Sequence, residues 1–209
     1  MIRNAVFRSA LLSAAVTMCL VASPGAALAG DHQFRPGAPG AGDPYFPLDG
    51  NGGYDAQHYL LDVKYTPQTD TLAGTATITA KATQNLSRFN LDLDGLTVRS
   101  ITVDGRSASW SRSGGELTVT PRHGLRKGSK FRTVVRYDGV PATLPDGSGF
   151  IHTDDGAVVI GQPDVAATWY PVNDHPTDKA AYTFKVTVPA GVEAISNGVL
   201  EDRNTRHGW

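Results

Sequence analysis

One cysteine and two methionines are all the sulfur in this 209-residue chain, and Met1, Met18 and Cys19 all lie near its N-terminus. Residues 30–209 therefore offer no disulfide, no thiol nucleophile and no thiolate metal ligand, so a fold there rests on its core alone. Long apolar runs are scarce too. Residues 10–22 form a 13-residue run broken only by Ser13 and Thr17, short of the roughly 20 residues that span a bilayer. Charge of one sign is lacking, with 19 Lys+Arg against 20 Asp+Glu and a net charge of −1. No basic stripe stands out, which argues against nucleic acid as a partner. Catalytic signatures are also missing. None of the six histidines is followed by Glu, so there is no H-E-x-x-H, and neither G-x-S-x-G nor a phosphate-cradling glycine loop occurs.

What is present begins with a processing segment. Arg3 and Arg8 precede the apolar run, and Ala27-Leu28-Ala29 has the small-residue pattern of a cleavage site. Residues 1–29 are thus expected to be a signal peptide, with a secreted mature chain that keeps no membrane attachment. Thr17 and Met18 stand before Cys19 where a lipid-attachment site needs small residues. Cleavage removes two basic residues, leaving 17 of the 19 against 20 acidic ones. Residues 30–53 hold seven glycines and four prolines, a composition that predicts a flexible exported lead. Tyr45, Phe46 and Leu48 interrupt it with side chains able to dock on something.

From Tyr54 onward the pattern has period two. Tyr59, Leu61, Val63 and Tyr65 fall on one face of residues 58–65. Ala76, Ile78 and Ala80 alternate with threonines; Phe89, Leu91 and Leu93 with Asn90, Asp92 and Asp94; Leu117 and Val119 with Glu116 and Thr118; Phe184, Val186 and Val188 with Lys185 and Thr187. This is the mark of strands with one buried face. Asp94-Gly95, Asp104-Gly105, Gly114-Gly115, Asp138-Gly139, Asp146-Gly147, Asp155-Gly156 and Asn197-Gly198 supply turn chemistry between them. The spacing predicts one all-β domain over residues 54–209, an antiparallel sandwich or saddle.

Polar clusters are few. Asp49-Gly50-Asn51-Gly52 begins like a calcium loop, but Leu60 stands where such a loop needs a bidentate Glu. A glycine-rich turn is the better account. His152 with Asp154 and Asp155, and His175 with Asp174 and Asp178, lack a third ligand and suit loop residues bonding turn backbone. Trp169 and Tyr170 could stack on a sugar, although neighbours in sequence more often point opposite ways. Pro171 and Pro176 stiffen the loop between them, and Asp174 sits there able to bond loop amides. Residues 181–188 then read as a strand ending at Pro189. Such a loop is good scaffolding for presenting one polar side chain.

The stretch 162–189 resembles the N-terminal β domain of the aminopeptidase N family of zinc metallopeptidases. In that family a Gln or Glu lies nine residues before the Pro of an F-P-C-x-D-x-P-like segment, which leads through a Lys into a Y-x-F-x-V-x-V-P strand. Here Gln162 precedes Pro171 by nine residues, Tyr170-Pro171-Val172-Asn173-Asp174-His175-Pro176 matches the segment, and Lys179 and residues 182–189 complete it. Residues 43–65 resemble the opening of secreted actinobacterial members, and residues 74–78 fit the second strand. Val172 stands in place of the usual cysteine, and Ala167 where many members have Arg.

The resemblance implies that Gln162 binds the free α-amino group of a peptide N-terminus. Its amide oxygen can accept a hydrogen bond from an ammonium. It also implies that the zinc, its ligands and the catalytic Glu belong to a following catalytic domain that is absent here. No catalytic residue and no metal ligand is therefore expected in this chain. Its partners would be peptide N-termini and that missing domain, and by itself it is expected to be inactive. Residues 192–197 and 199–203 are expected to be strands, with Trp209 starting a return strand, so the chain is expected to be cut within its last hairpin. The alternative is a stand-alone exported sandwich binding a polymer, glycan or protein surface through Trp169, Tyr170, Tyr45 and Phe46.

Overall fold

The structure is a computed structural model and describes residues 33–209; the expected signal peptide, with Cys19, lies outside them. Twelve strands follow in chain order: β1 (Arg35–Pro36), β2 (Tyr54–Thr66), β3 (Thr71–Ala82), β4 (Leu86–Asp92), β5 (Thr97–Val103), β6 (Arg106–Ser107), β7 (Ser109–Ser113), β8 (Glu116–Thr120), β9 (Lys130–Gly139), β10 (Gly149–Thr153), β11 (Gly156–Ile160) and β12 (Ala181–Thr187). Two three-residue 3-10 turns, Pro67–Thr69 and Ala166–Thr168, are the only other regular elements among the described residues.

The strands form a six-stranded sheet of order β12-β2-β3-β9-β5-β6, a four-stranded sheet of order β1-β4-β8-β7, and the hairpin β10-β11. The period-two positions meet where the two larger sheets face each other. Leu61, Ala76, Ala80, Leu91, Leu117, Val119 and Val135 are fully buried. Phe89 of the smaller sheet packs against Tyr54 and Phe131 of the larger one, with ring centroids 5.5 and 5.2 Å away. A single core thus joins both sheets, as period-two alternation requires. Asp104 and Gly105 close the β5–β6 hairpin with φ of 50° and 75°; two positive values suit the right-handed strand twist.

Pairing is antiparallel except at two places. β12 runs parallel to β2, in register from Ala181 opposite His58 to Thr187 opposite Lys64, and β1 runs parallel to β4. A parallel neighbour needs a long crossover, and residues 140–180 provide it for β12.

The lead is less loose than its composition predicts. Beyond β1, Gly37 N donates to the Arg88 carbonyl at 2.8 Å, Gly52 N to the Ala38 carbonyl at 2.9 Å and Thr83 N to the Gly53 carbonyl at 2.9 Å. Backbone bonds hold it where side chains offer little apolar surface.

Two other expectations change. Residues 192–197 and 199–203 form no strands, and Ile195, Val199 and Leu200 are 90%, 90% and 76% exposed. A lone two-stranded hairpin gains little in water. Trp209 makes no return strand but lies under Lys64, whose Nζ stands 3.3 Å from the ring centroid.

Candidate functional site

The loop between β11 and β12 is built around short polar side chains that do the work of a missing strand. Val172 N donates to the Asp92 carbonyl at 3.0 Å and Asp92 N to the Val172 carbonyl at 2.7 Å, which seats the loop on the end of β4. Asp174 N donates to Asp92 Oδ2 at 2.7 Å, while Asp174 Oδ2 accepts from Ala167 N at 2.9 Å. Asp174 thus bonds a loop amide, as its place between Pro171 and Pro176 predicts. Asn173 N donates to Tyr59 Oη at 3.0 Å, and its side-chain amide donates to Asp178, which also accepts from Ala56 N at 3.2 Å. The lead enters the same hub. Asn51 N donates to Asn173 Oδ1 at 2.5 Å and Asn51 Nδ2 to Asp92 Oδ1 at 2.9 Å.

Asn51, Asp92, Asn173 and Asp174 are all buried. Burial pushes the Asp92 carboxyl up to about 7, against the opposing pull of the Asp174 N–H. Burial likewise pushes Asp174 up to about 7, opposed by the Ala167 N–H. Buried charge is costly and the charge of Asp92 opposes that of Asp174, so protonation is the natural relief.

Gln162 lies two residues beyond β11, at the exposed start of this loop. Its side chain makes no hydrogen bond to any described residue. The hub therefore fixes the loop while leaving the Gln162 amide free. Burial first, and the carboxyl of Asp164, two residues on, second, push Asp49 of the lead up to about 6.

Other singled-out residues land elsewhere. His152 leaves Asp154 and Asp155 for Tyr65, whose Oη lies 3.0 Å from His152 Nδ1 and donates to Asp70 Oδ1 at 2.9 Å. This ties the β10–β11 hairpin to the end of β2. His175 Nε2 lies 3.4 Å from Asp43 Oδ2, and Asp178 caps the loop instead of joining a ligand set. Among the described residues, no group of three or more His, Cys, Asp or Glu is arranged to hold a metal ion; these residues do not fit a zinc site. Trp169 and Tyr170 do not point opposite ways. They pack on each other at 4.5 Å and 75°, with Tyr170 buried and Trp169 stacked on Phe184 at 6.2 Å and 17°. Tyr45 and Phe46 are 86% and 47% exposed, on a turn where Asp43 Oδ1 accepts from both their amides at 2.7 and 3.2 Å.

Sequence reasoning missed Asn51 and Asp92. Asn51 passed as part of a glycine-rich turn. Asn90 and Asp92 were expected to face solvent by alternation, yet both are buried; the crossover loop and Asn51 of the lead bond the Asp92 carboxyl, and Tyr54 Oη donates to the Asn90 carbonyl at 2.7 Å. The available signal was the choice of short Asn and Asp at these outward positions, where long charged side chains are usual for a solvated face.

The Peptidase M1 N-terminal domain profile matches residues 55–209. The M1 zinc metallopeptidase from Deinococcus radiodurans is similar at 33% identity with a TM-score of 0.75, over 81% of this chain and 40% of that one. A point mutant of that enzyme bound to a Tyr-Ser-Ala substrate matches with the same identity, TM-score and shares of each chain. So does a two-domain M1 zinc metallopeptidase mutant bound to L-arginine. This chain therefore spans well under half the length of these solved chains. No curated protein matches it. On the profile match and these structural likenesses, the chain belongs to the Peptidase M1 N-terminal domain family.

Proposed function

We propose that this chain is the substrate-end-binding, N-terminal part of a secreted zinc aminopeptidase, in which Gln162 receives the free α-ammonium of a peptide. One observation carries the reading: Gln162 is exposed and unbonded at the head of a loop that a buried polar hub otherwise pins. With the following loop already fixed, binding has to order only the Gln162 side chain itself. Its amide oxygen can take one ammonium N–H while a catalytic domain places the scissile carbonyl. Zinc in that domain would polarise the carbonyl and activate water, chemistry for which the described residues hold no ligand set. The family relationship and the peptide-bound relative support this reading. Secretion rests on the signal-peptide pattern of residues 1–29.

The test is Gln162→Ala in the complete enzyme. Losing one hydrogen bond to a charged group costs about 1.5–3 kcal/mol, so kcat/KM for free-amine peptides should fall roughly 10- to 150-fold. Gln162→Glu should retain binding through a charge-assisted bond. Unchanged kinetics in Gln162→Ala would remove Gln162 from the site. Zinc-dependent hydrolysis of aminoacyl anilides by residues 30–209 alone would overturn the division of labour.

A further inference from the structure

Asparagine followed by glycine is a reactive pair, because glycine has no side chain to keep its nitrogen from the preceding amide carbon. This chain holds two such pairs, Asn51-Gly52 in the lead and Asn197-Gly198 beyond β12. The fold treats them in opposite ways. Asn51 is only 4% exposed. Its N–H donates to Asn173 Oδ1 at 2.5 Å and its side-chain amide to Asp92 Oδ1 at 2.9 Å. Gly52 N, the atom that would attack, donates to the Ala38 carbonyl at 2.9 Å. Nucleophile and leaving group are both tied, so Asn51 reacts only when the hub opens.

Asn197 and Gly198 stand at an exposed bend with no strand on either side. The bend lies on a loop closed by Ala190 N, which donates to the Gly208 carbonyl at 2.8 Å, and braced by Arg203 Nη1, 2.6 Å from Glu193 Oε1. Gly198 N donates to no described residue, and beyond its chain neighbours no heavy atom lies within 4 Å of the place a Cβ would take. The Asn197 Nδ2 amino group likewise has no partner among the described residues. Ser196 Oγ donates to Asn197 Oδ1 at 3.4 Å, which draws electron density from the carbon to be attacked.

We propose that Asn197 is a site of spontaneous deamidation and isoaspartate formation in the folded chain, and that the hub protects Asn51 from the same reaction. Water is the only co-reactant. Gly198 N–H gives its proton to water or hydroxide, and the nitrogen forms a bond to Asn197 Cγ. The Cγ–Nδ2 bond then breaks, Nδ2 taking a proton from solvent and leaving as ammonia. Water opens the resulting imide ring at either carbonyl, giving aspartate or, with the chain routed through the β-carbon, isoaspartate. One neutral amide becomes a carboxylate, so the net charge falls by one, from −1 to −2. An exposed irregular loop accepts the extra backbone carbon, as loop tips accept insertions. The proposal is independent of the role of Gln162.

The experiment is incubation of the full chain at pH 8, folded in buffer and unfolded in urea. Peptide mapping by mass follows each amide-to-acid conversion, and enzymatic methyl transfer to isoaspartyl carboxyls identifies isoaspartate. In buffer, residue 197 is expected to convert at least about tenfold faster than residue 51, which must wait for local opening. In urea, where the hub is gone, the two rates should lie within about threefold of each other. Gly198→Ala should slow residue 197 in buffer and leave residue 51 unchanged, because a methyl group then shields the nitrogen. Equal rates at the two sites in buffer would overturn the proposal, as would an Asn197 that stays intact in buffer while converting in urea. A gap of about tenfold that persists in urea would overturn it too, by assigning the difference to neighbouring residues and not to the fold.

Discussion

Asp174 shows how a single side chain can replace backbone pairing. One of its oxygens takes the Ala167 N–H at 2.9 Å, and its own N–H reaches Asp92 Oδ2 at 2.7 Å. Asp174→Ala would strand the amide of Ala167, which is only 7% exposed. That should cost about 1–3 kcal/mol, measured by urea unfolding of the full chain at pH 7. Asp174→Asn keeps an acceptor oxygen and removes the buried charge, so it should cost under about 1 kcal/mol. The role of Asp174 was legible in the sequence, because an Asp between two prolines has few other uses. Asn51 and Asp92 were not, since each is defined by a partner about 40 or 120 residues away.

At the scale of the element, β12 is an edge strand held by its parallel ladder to β2 and by a row of aromatic rings. In register, Tyr182 lies opposite Tyr59, and their rings stack at 5.0 Å and 10°. Phe184 continues the row at 5.7 Å and 8° from Tyr182, and Trp169 follows at 6.2 Å and 17°. The alternation of Phe184, Val186 and Val188 predicts a buried face. That face is only partly covered, with Tyr182 and Val186 at 41% and 39% exposed, because β12 ends its sheet. Phe184→Ala would remove a ring from the middle of the row. Stacking beyond area burial is worth about 0.5–1.5 kcal/mol per pair, and a half-buried ring adds roughly 1 kcal/mol of transfer. With two such pairs the expected loss is about 2–4 kcal/mol, with a reduced near-UV circular dichroism signal from the tyrosines. The strands were legible because periodicity is local. The parallel placement of β12 was not, because pairing direction depends on where a crossover of some forty residues returns the chain.

Across the whole molecule, two kinds of carboxyl pull stability in opposite directions with pH. Asp92 and Asp174, at about 7, and Asp49, at about 6, bind a proton more tightly folded than unfolded. Folding is then most favoured with them protonated, and their contribution declines as pH rises from the ordinary carboxylate range near 4 through 6 and 7. Asp138, held low by Arg99, and Asp146, held low by Ser148, lie below that range. Their contribution is present above pH 4 and is lost only as the solution becomes more acid. The two opposing slopes leave maximum stability near pH 4–5, unusually acid for a chain with net charge of −1. Because Asp92 and Asp174 act on one another, their protonations are not independent, and their joint effect is about 2 kcal/mol between pH 5 and pH 8. For a domain of this size that lowers Tm by roughly 4–8 °C, readable by calorimetry across that range. The double variant Asp92→Asn, Asp174→Asn should flatten the profile, since neither amide titrates. A Tm that rises from pH 5 to pH 8 in the unsubstituted chain would mean that both carboxyls are charged in the fold, with the hub bound together by its amides alone.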